Sequence, residues 1–147
     1  MSHSAAIVIY GSPEKSKKPV SLIRDLLASG WSYNDSGYIS YLPLGDNDEM
    51  DWQRGALDDW PAIIDLIEGK VLCNELIGLS LIHGKTSGGE LLIPSNLQTI
   101  TMSLTINRRI LPGKFRMTDY SWYLERLLPP LEQTGYTIER VECSDDV

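Results

Sequence analysis

The amino-acid sequence predicts a single α+β domain in which about three helices pack on a mixed or mainly antiparallel sheet. The 147-residue length is typical of one domain, and 42% hydrophobic residues are enough for one core. Residues 99–106 alternate apolar with hydroxyl side chains, which indicates a strand with one buried face. The predicted order is β-α-β-α-β-β-β-α-β within one domain covering 1–147, whose ends, 1–4 and 144–147, are expected to fray.

The N-terminal part of the chain supplies the first strand and the first helix. An apolar, β-branched segment over residues 5–10 predicts a buried strand, which the turn-forming residues 11–13 end. Pro19 then opens a helix, and Gly30 is suited to its C-terminal cap. One face of this helix carries the apolar residues expected in the core: Leu22, Ile23, Leu26 and Leu27.

A second strand and a second helix follow, separated by a polar loop. Residues 38–42 are typical of a strand, and residues 45–55 form the loop. Asp58 or Asp59 caps the helix, which is predicted to end at Gly69. The apolar side of this helix is expected to consist of Trp60, Ile63, Ile64 and Ile67.

The C-terminal half supplies four strands and the third helix. Three of these strands are expected at 79–83, 91–93 and 99–106. A flexible, glycine-containing turn covers residues 84–89. The helix begins at Thr118 or Asp119 and stops or kinks at Pro129-Pro130, and the last strand covers 136–141.

Charge and composition disfavour several kinds of partner. The net charge of −7 opposes binding to nucleic acid or to anionic membranes, and it suits a basic protein surface. We expect a cytoplasmic protein without membrane contact, because apolar runs fall far short of the roughly 20 residues of a membrane span and no signal-peptide pattern is present. Cys73, in an apolar stretch, is expected in the core, and a disulfide with Cys143 is not expected.

No strong catalytic motif stands out, so the chain is expected not to be an enzyme and to need no metal or cofactor. The two histidines, His3 and His83, do not form a zinc-binding pattern, and His83 at a strand end is a weak general-base candidate. Gly84-Lys85-Thr86 resembles the end of a phosphate-binding loop but leads into a strand, which favours a hairpin turn. Residues 11–16 leave a small hydrolase or nucleotide-binding enzyme open as the alternative function.

The segment 46–68 is the most unusual part of the sequence, with eight acidic residues, one basic residue and two of the four tryptophans. It lacks the spaced ligands of a calcium loop. A solvated loop beside a helix N-terminus is the simpler interpretation, but helix capping accounts only for Asp58 and Asp59. Aromatic anchors surrounded by charge are typical of protein interfaces. The predicted partner-binding residues are Asp46, Asp48, Glu49, Asp51, Trp52, Arg54, Asp58, Asp59 and Trp60.

Motifs in the first half of the chain resemble a known family. Trp31-Ser32-Tyr33, residues 37–45 and Asp51-Trp52 resemble bacterial immunity proteins of polymorphic toxin systems. The most similar group has an α+β fold with characteristic Trp, Asp and Arg positions and is paired with restriction-endonuclease-like nuclease toxins. Trp31, Asp51, Trp52 and Arg54 are the candidates for these positions.

The resemblance implies a non-catalytic, cytoplasmic antitoxin that binds and blocks a toxin delivered by a neighbouring cell. The expected partner is a cognate protein toxin with a basic surface, since nuclease active sites are often lined by basic side chains that hold phosphate. Inhibition by an acidic, tryptophan-bearing surface would exclude the nucleic-acid substrate. An adaptor without any toxin connection is a third interpretation, beside the small enzyme.

Overall fold

The computed structural model describes residues 3–15 and 17–146, which form an eight-stranded antiparallel sheet and three α-helices. The predicted α+β class and order of elements are confirmed, with two further short strands, β2 and β4. The strands are β1 (Ser4–Pro13), β2 (Trp31–Ser32), β3 (Tyr38–Tyr41), β4 (Gln53–Ala56), β5 (Ile77–His83), β6 (Ser87–Ile93), β7 (Thr99–Ile106) and β8 (Tyr136–Asp146). The helices are α1 (Pro19–Ala28), α2 (Trp60–Leu72) and α3 (Tyr120–Gln133), and a 3-10 turn over Leu57–Asp59 precedes α2.

The strands lie in the order β4-β3-β5-β6-β7-β1-β8, and β2 also pairs with β5. Every pair is antiparallel, and β1 lies between β7 and β8, with Ser4 opposite Asp146. The two ends of the chain are therefore neighbours in the sheet. Ser4 and residues 144–146, for which fraying is expected, belong to β1 and β8, which pair with each other; residues 1, 2 and 147 of the same prediction lie outside the described residues.

The core lies between one face of the sheet and the three helices. Ile7 and Ile9 of β1 and their neighbours Met102 and Ile100 of β7 are buried in one cluster with the inward faces of α1, α2 and α3. Leu104 is also buried, as the alternation in 99–106 predicts. The residues between them in sequence, such as Thr101, are partly exposed on the opposite, helix-free face. No helix in the described part of the chain is long and apolar enough to cross a membrane.

Two predicted turns are shorter than expected because glycines let strands approach closely. Residues 11–13 continue β1 opposite β8, and a Cβ on Gly11 would lie 2.2 Å from the Thr137 carbonyl oxygen. The turn predicted over 84–89 is confined to 84–86, since Gly88 and Gly89 belong to β6. A Cβ at either glycine would come within 1.9 Å of a neighbouring carbonyl oxygen, so only glycine fits. The loop that the alternative enzyme would use therefore begins only after Pro13.

Two helices extend beyond their predicted ends because their last turns remain packed. The second helix, α2, continues past Gly69 to Leu72, and Lys70 within this turn is fully buried. The third helix, α3, continues through Pro129-Pro130 to Gln133, with Leu131 buried in the core. Burial of these side chains outweighs the local preference of glycine and proline to end a helix.

Two further local expectations are wrong. Cys73 is exposed because it is the C-cap residue of α2, beyond the packed part of the helix; it and Cys143 are both free thiols. The last residues of the predicted loop over 45–55 belong to β4. This strand pairs with β3 and forms one edge of the sheet.

Candidate functional site

An acidic loop over residues 45–51 joins the end of β3 to β4. Asp46 is only 7% exposed, and its carboxylate accepts hydrogen bonds from the backbone amides of Met50 (3.0 Å) and Asp51 (2.9 Å). Asn47, Asp48 and Met50 have positive φ angles of 51°, 59° and 58°, which non-glycine residues adopt at a cost. The Asp46 carboxylate therefore organises the loop from within and is not free for a partner, whereas the side chains of its acidic neighbours are exposed.

A buried lysine fixes the same loop to α2. The Lys70 ammonium donates to the Pro43 carbonyl oxygen and to Glu75 Oε1, and Glu75 Oε1 also accepts from the Gly45 amide at 2.7 Å. The Gly45 amide, together with Lys70, lowers the pKa of Glu75 and keeps it ionised. Both ends of the acidic loop are thus held, so that Asp48, Glu49 and Asp51 project into solvent from a fixed backbone.

Trp52 and Arg54 lie on the helix-free face of the sheet. The Trp52 ring packs over β5 where Gly78 leaves space, since a Cβ on Gly78 would lie 2.9 Å from the ring. Arg54 is exposed, and its guanidinium carbon lies 5.6 Å from the centre of the Tyr38 ring. Trp52 is therefore half-buried and structural in part, while one side of it borders solvent.

The remaining predicted site residues lie near the start of α2, on the helix-bearing side of the sheet. Asp58 and Asp59 are exposed; Asp59 is the N-cap residue of α2, as predicted, but its carboxylate accepts from the Ala56 amide at 3.1 Å and makes no capping hydrogen bond to α2. Trp60 stacks on Tyr33, with ring centroids 4.3 Å apart. The nine predicted residues therefore separate into three groups: the acidic loop, the pair on the helix-free face and the start of α2.

Two shallow cavities on the helix-free face meet at Glu90 and Thr105. One, of about 510 Å³, extends from this point to Arg108 and Asp146, and the other, of about 240 Å³, extends to Trp52 and Arg54. Burial raises the pKa of Glu90, whose side chain lines both cavities. A continuous depression thus crosses the sheet from Trp52 to Arg108.

His83 ends β5, as predicted, within an aromatic cluster. Its ring lies between Trp31 and Trp122, with centroids 5.1 Å and 6.1 Å away. Burial lowers the pKa of His83 and favours the neutral ring. Trp122 is flanked by the guanidinium groups of Arg109 (4.6 Å) and Arg126 (4.4 Å). Trp31, a candidate family position, is buried here and donates to the Arg126 carbonyl oxygen, so it supports the fold.

A second surface, which the sequence analysis missed, is the basic hairpin over residues 107–119 between β7 and α3. All residues from 110 to 117 are exposed, including four large apolar side chains. The segment has four basic residues before Asp119 and no acidic one. The available signal was the interleaving of apolar and basic residues around Pro112-Gly113, which has neither helical nor strand periodicity. The exposed apolar residues are Ile110, Leu111, Phe115 and Met117.

The base of the basic hairpin is clamped by a buried carboxylate from the far end of the chain. Asp145, 3% exposed, accepts from the Thr118 amide (3.2 Å) and hydroxyl (2.6 Å), and Arg108 donates to the same hydroxyl (2.9 Å). Burial alone would raise the pKa of Asp145, but the hydrogen bonds from Thr118 and His3 outweigh it and lower the pKa to about 2. The hairpin therefore projects from a rigid base.

The described residues contain no group of three or more His, Cys, Asp or Glu side chains that could hold a metal ion. No protein-family model matches the chain, and no curated protein or solved structure shows significant similarity to it.

Proposed function

We propose that this chain is a non-catalytic immunity protein that binds and neutralises a cognate protein toxin with a basic surface, a nuclease being the expected class. The observation that carries the proposal is the acidic loop, which holds Asp48, Glu49 and Asp51 exposed on a backbone organised by Asp46. The loop presents negative charge in one conformation before any partner arrives.

Pre-organisation is the physical reason why this loop suits binding. A flexible loop loses conformational entropy when it binds, whereas a loop already held at both ends loses little. Like charges close together repel each other in the free protein, and a basic partner relieves this repulsion. The net charge of −7 adds long-range attraction toward a basic surface, which accelerates association.

Trp52 and Arg54 extend the proposed surface from the acidic loop onto the helix-free face. Trp52 borders the depression centred on Glu90 and Thr105, so its free edge is available to a partner side chain inserted there. Arg54 provides a positive charge beside it and favours a partner that also carries a carboxylate. The acidic loop then steers the encounter, and the tryptophan supplies apolar contact once docking has occurred.

The test is to isolate the product of the neighbouring gene with the tagged chain and to measure binding kinetics. Asp48→Lys with Glu49→Lys should slow association by about tenfold at low salt and reduce its salt dependence, with little change in dissociation. Asp65→Lys with Glu68→Lys, on the exposed side of α2, is the matched control and should have a smaller effect. Trp52→Ala should accelerate dissociation.

Two outcomes would remove this proposal. Full wild-type affinity in a folded variant carrying Asp48→Lys, Glu49→Lys and Trp52→Ala would exclude this surface from the mechanism. Hydrolase or nuclease turnover that co-purifies with the chain and disappears in His83→Ala would replace the binding role with an enzymatic one. Because Trp52 packs over Gly78, thermal unfolding must be measured on every variant containing Trp52→Ala.

A further inference from the structure

Large apolar side chains that are strongly exposed concentrate in two regions of the described chain. Six of the eight lie either in or beside the acidic loop or in the basic hairpin; the exceptions are Leu72 and Tyr38, which starts β3 at the end away from the loop. Soluble domains leave single apolar residues exposed everywhere, but clusters of them mark contact surfaces. The exposed residues in or beside the acidic loop are Leu44 and Met50, and those of the hairpin are Ile110, Leu111, Phe115 and Met117.

The two regions carry opposite charge. The tip of the basic hairpin exposes Lys114 and Arg116, and residues 107–118 include no acidic side chain. The acidic loop exposes Asp48, Glu49 and Asp51, and residues 45–51 include no basic side chain. Each region thus combines apolar side chains with charges of one sign, and the two are complementary to each other in both respects.

We propose that the basic hairpin of one copy of this chain binds the acidic loop of a second copy. Both regions are held by internal hydrogen bonds, so that little ordering is needed on contact. In a two-fold dimer each copy contributes one hairpin and one loop, which makes two identical contacts. An anionic membrane is the less favoured occupant of the hairpin, because a chain with a net charge of −7 is repelled by such a surface.

Self-association has a consequence for the proposed function. The second copy and the toxin would bind the same acidic loop and therefore compete for it. Toxin binding would then dissociate the dimer. The oligomeric state is measured on the chain alone, without a toxin. Failure of the dimer therefore leaves the toxin proposal untouched, and failure of toxin binding leaves the dimer untouched.

The experiment is analytical ultracentrifugation of the full chain over a concentration series at low and high salt. The wild-type chain should dimerise, with a dissociation constant that rises with salt. The hairpin variant, Lys114→Glu with Arg116→Glu, and the loop variant, Asp48→Lys with Glu49→Lys, should each weaken dimerisation by at least about tenfold. Lys85→Glu, at an exposed turn away from both regions, is the control and should leave the dissociation constant unchanged.

Mixing the two charge-reversed variants is the decisive step. The acidic hairpin of one then faces the basic loop of the other, and the basic hairpin faces the acidic loop, so the equimolar mixture should form a heterodimer. Phe115→Ser should weaken the wild-type dimer without altering the far-ultraviolet circular dichroism. A wild-type chain that stays monomeric at every concentration would overturn the proposal. So would a mixture of folded variants that stays monomeric, or a monomeric chain that binds phosphatidylserine vesicles through Phe115.

Discussion

The acidic loop and the basic hairpin are built in the same way but are recognised from the sequence very differently. Each exposes its tip above a buried aspartate: the Asp46 carboxylate accepts from two backbone amides, and the Asp145 carboxylate accepts from the amide and the hydroxyl of Thr118. Asp46 bonds amides four and five residues ahead of it, whereas Asp145 bonds Thr118, 27 residues earlier in the chain. A local aspartate turn can be read from a short window of sequence, but a clamp from a distant strand requires the fold.

The exposed side chains of the two tips differ in how favourably water hydrates them. The carboxylates of the acidic loop are well hydrated in the free protein, so their exposure needs no explanation beyond solubility. The hairpin exposes Phe115 at 69%, with three further large apolar side chains beside it. Exposed apolar area is unfavourable unless another surface covers it. The hairpin is therefore the stronger indication of a contact surface, although the acidic loop is more conspicuous in the sequence.

The largest expected effect concerns the sheet that supports both regions. Leu104, on the strand that leads into the hairpin, is buried, and Leu104→Ala should lower the free energy of unfolding by about 2–5 kcal/mol through lost burial and a cavity. Thr101→Ala, on the helix-free face of the same strand, should cost less than about 1 kcal/mol. Chemical denaturation of both variants is the measurement, and equal losses would contradict the burial pattern of β7.

The second largest effect on stability is expected from the hydrogen bonds between Asp145 and Thr118 at the base of the hairpin. The pKa of Asp145 falls from 3.8 to about 2 on folding, so its stabilising contribution is present above pH 4 and is lost as the pH falls toward 2. Asp145→Asn should therefore lower the free energy of unfolding by about 2 kcal/mol at pH 7 and much less at pH 2. Asp146→Asn, an exposed neighbour, is the control. If the loss in free energy of unfolding caused by Asp145→Asn does not depend on pH, the charge of Asp145 does not contribute to stability.

The clamp of the acidic loop should have a smaller effect because its partners are local. Asp46→Ala leaves the Met50 and Asp51 amides without their acceptor, yet both lie near the surface and can bond water. We expect a loss of about 1 kcal/mol in the free energy of unfolding, with faster amide exchange at these two positions. Unchanged exchange would mean that the contacts of Glu75 and Lys70 hold the loop without Asp46.

The smallest effects on stability are expected at the two tips. Phe115→Ser and Glu49→Gln should each change the free energy of unfolding by less than about 0.5 kcal/mol, since neither side chain is buried. Their effects should appear in association, where Phe115→Ser weakens self-association and Glu49→Gln slows binding of a basic partner. A large destabilisation by Phe115→Ser would show that the hairpin packs on its own chain and is not a free surface.

The candidate site was only partly predictable. Exposure of Asp48 and Glu49 follows from charge, since isolated carboxylates are costly to bury. The separation of Trp52 from Trp60 onto opposite faces of the sheet depends on β4, a short edge strand that composition did not indicate. The depression at Glu90 arises where β6 and β7 lie side by side, and its lining comes from segments far apart in the sequence.

The α+β class, the order of the main elements and the buried face of β7 can be predicted from the sequence, because they follow from local periodicity and from apolar burial that any fold must satisfy. The ends of the elements and the free surfaces, in contrast, depend on how the elements pack in three dimensions. Gly11, Gly88 and Gly89 continue strands because a neighbouring strand needs the space of a missing Cβ, and α3 passes Pro129-Pro130 because Leu131 is packed in the core. These strand and helix ends depend on close contacts between segments that are distant in the sequence, and a local sequence pattern does not contain that information.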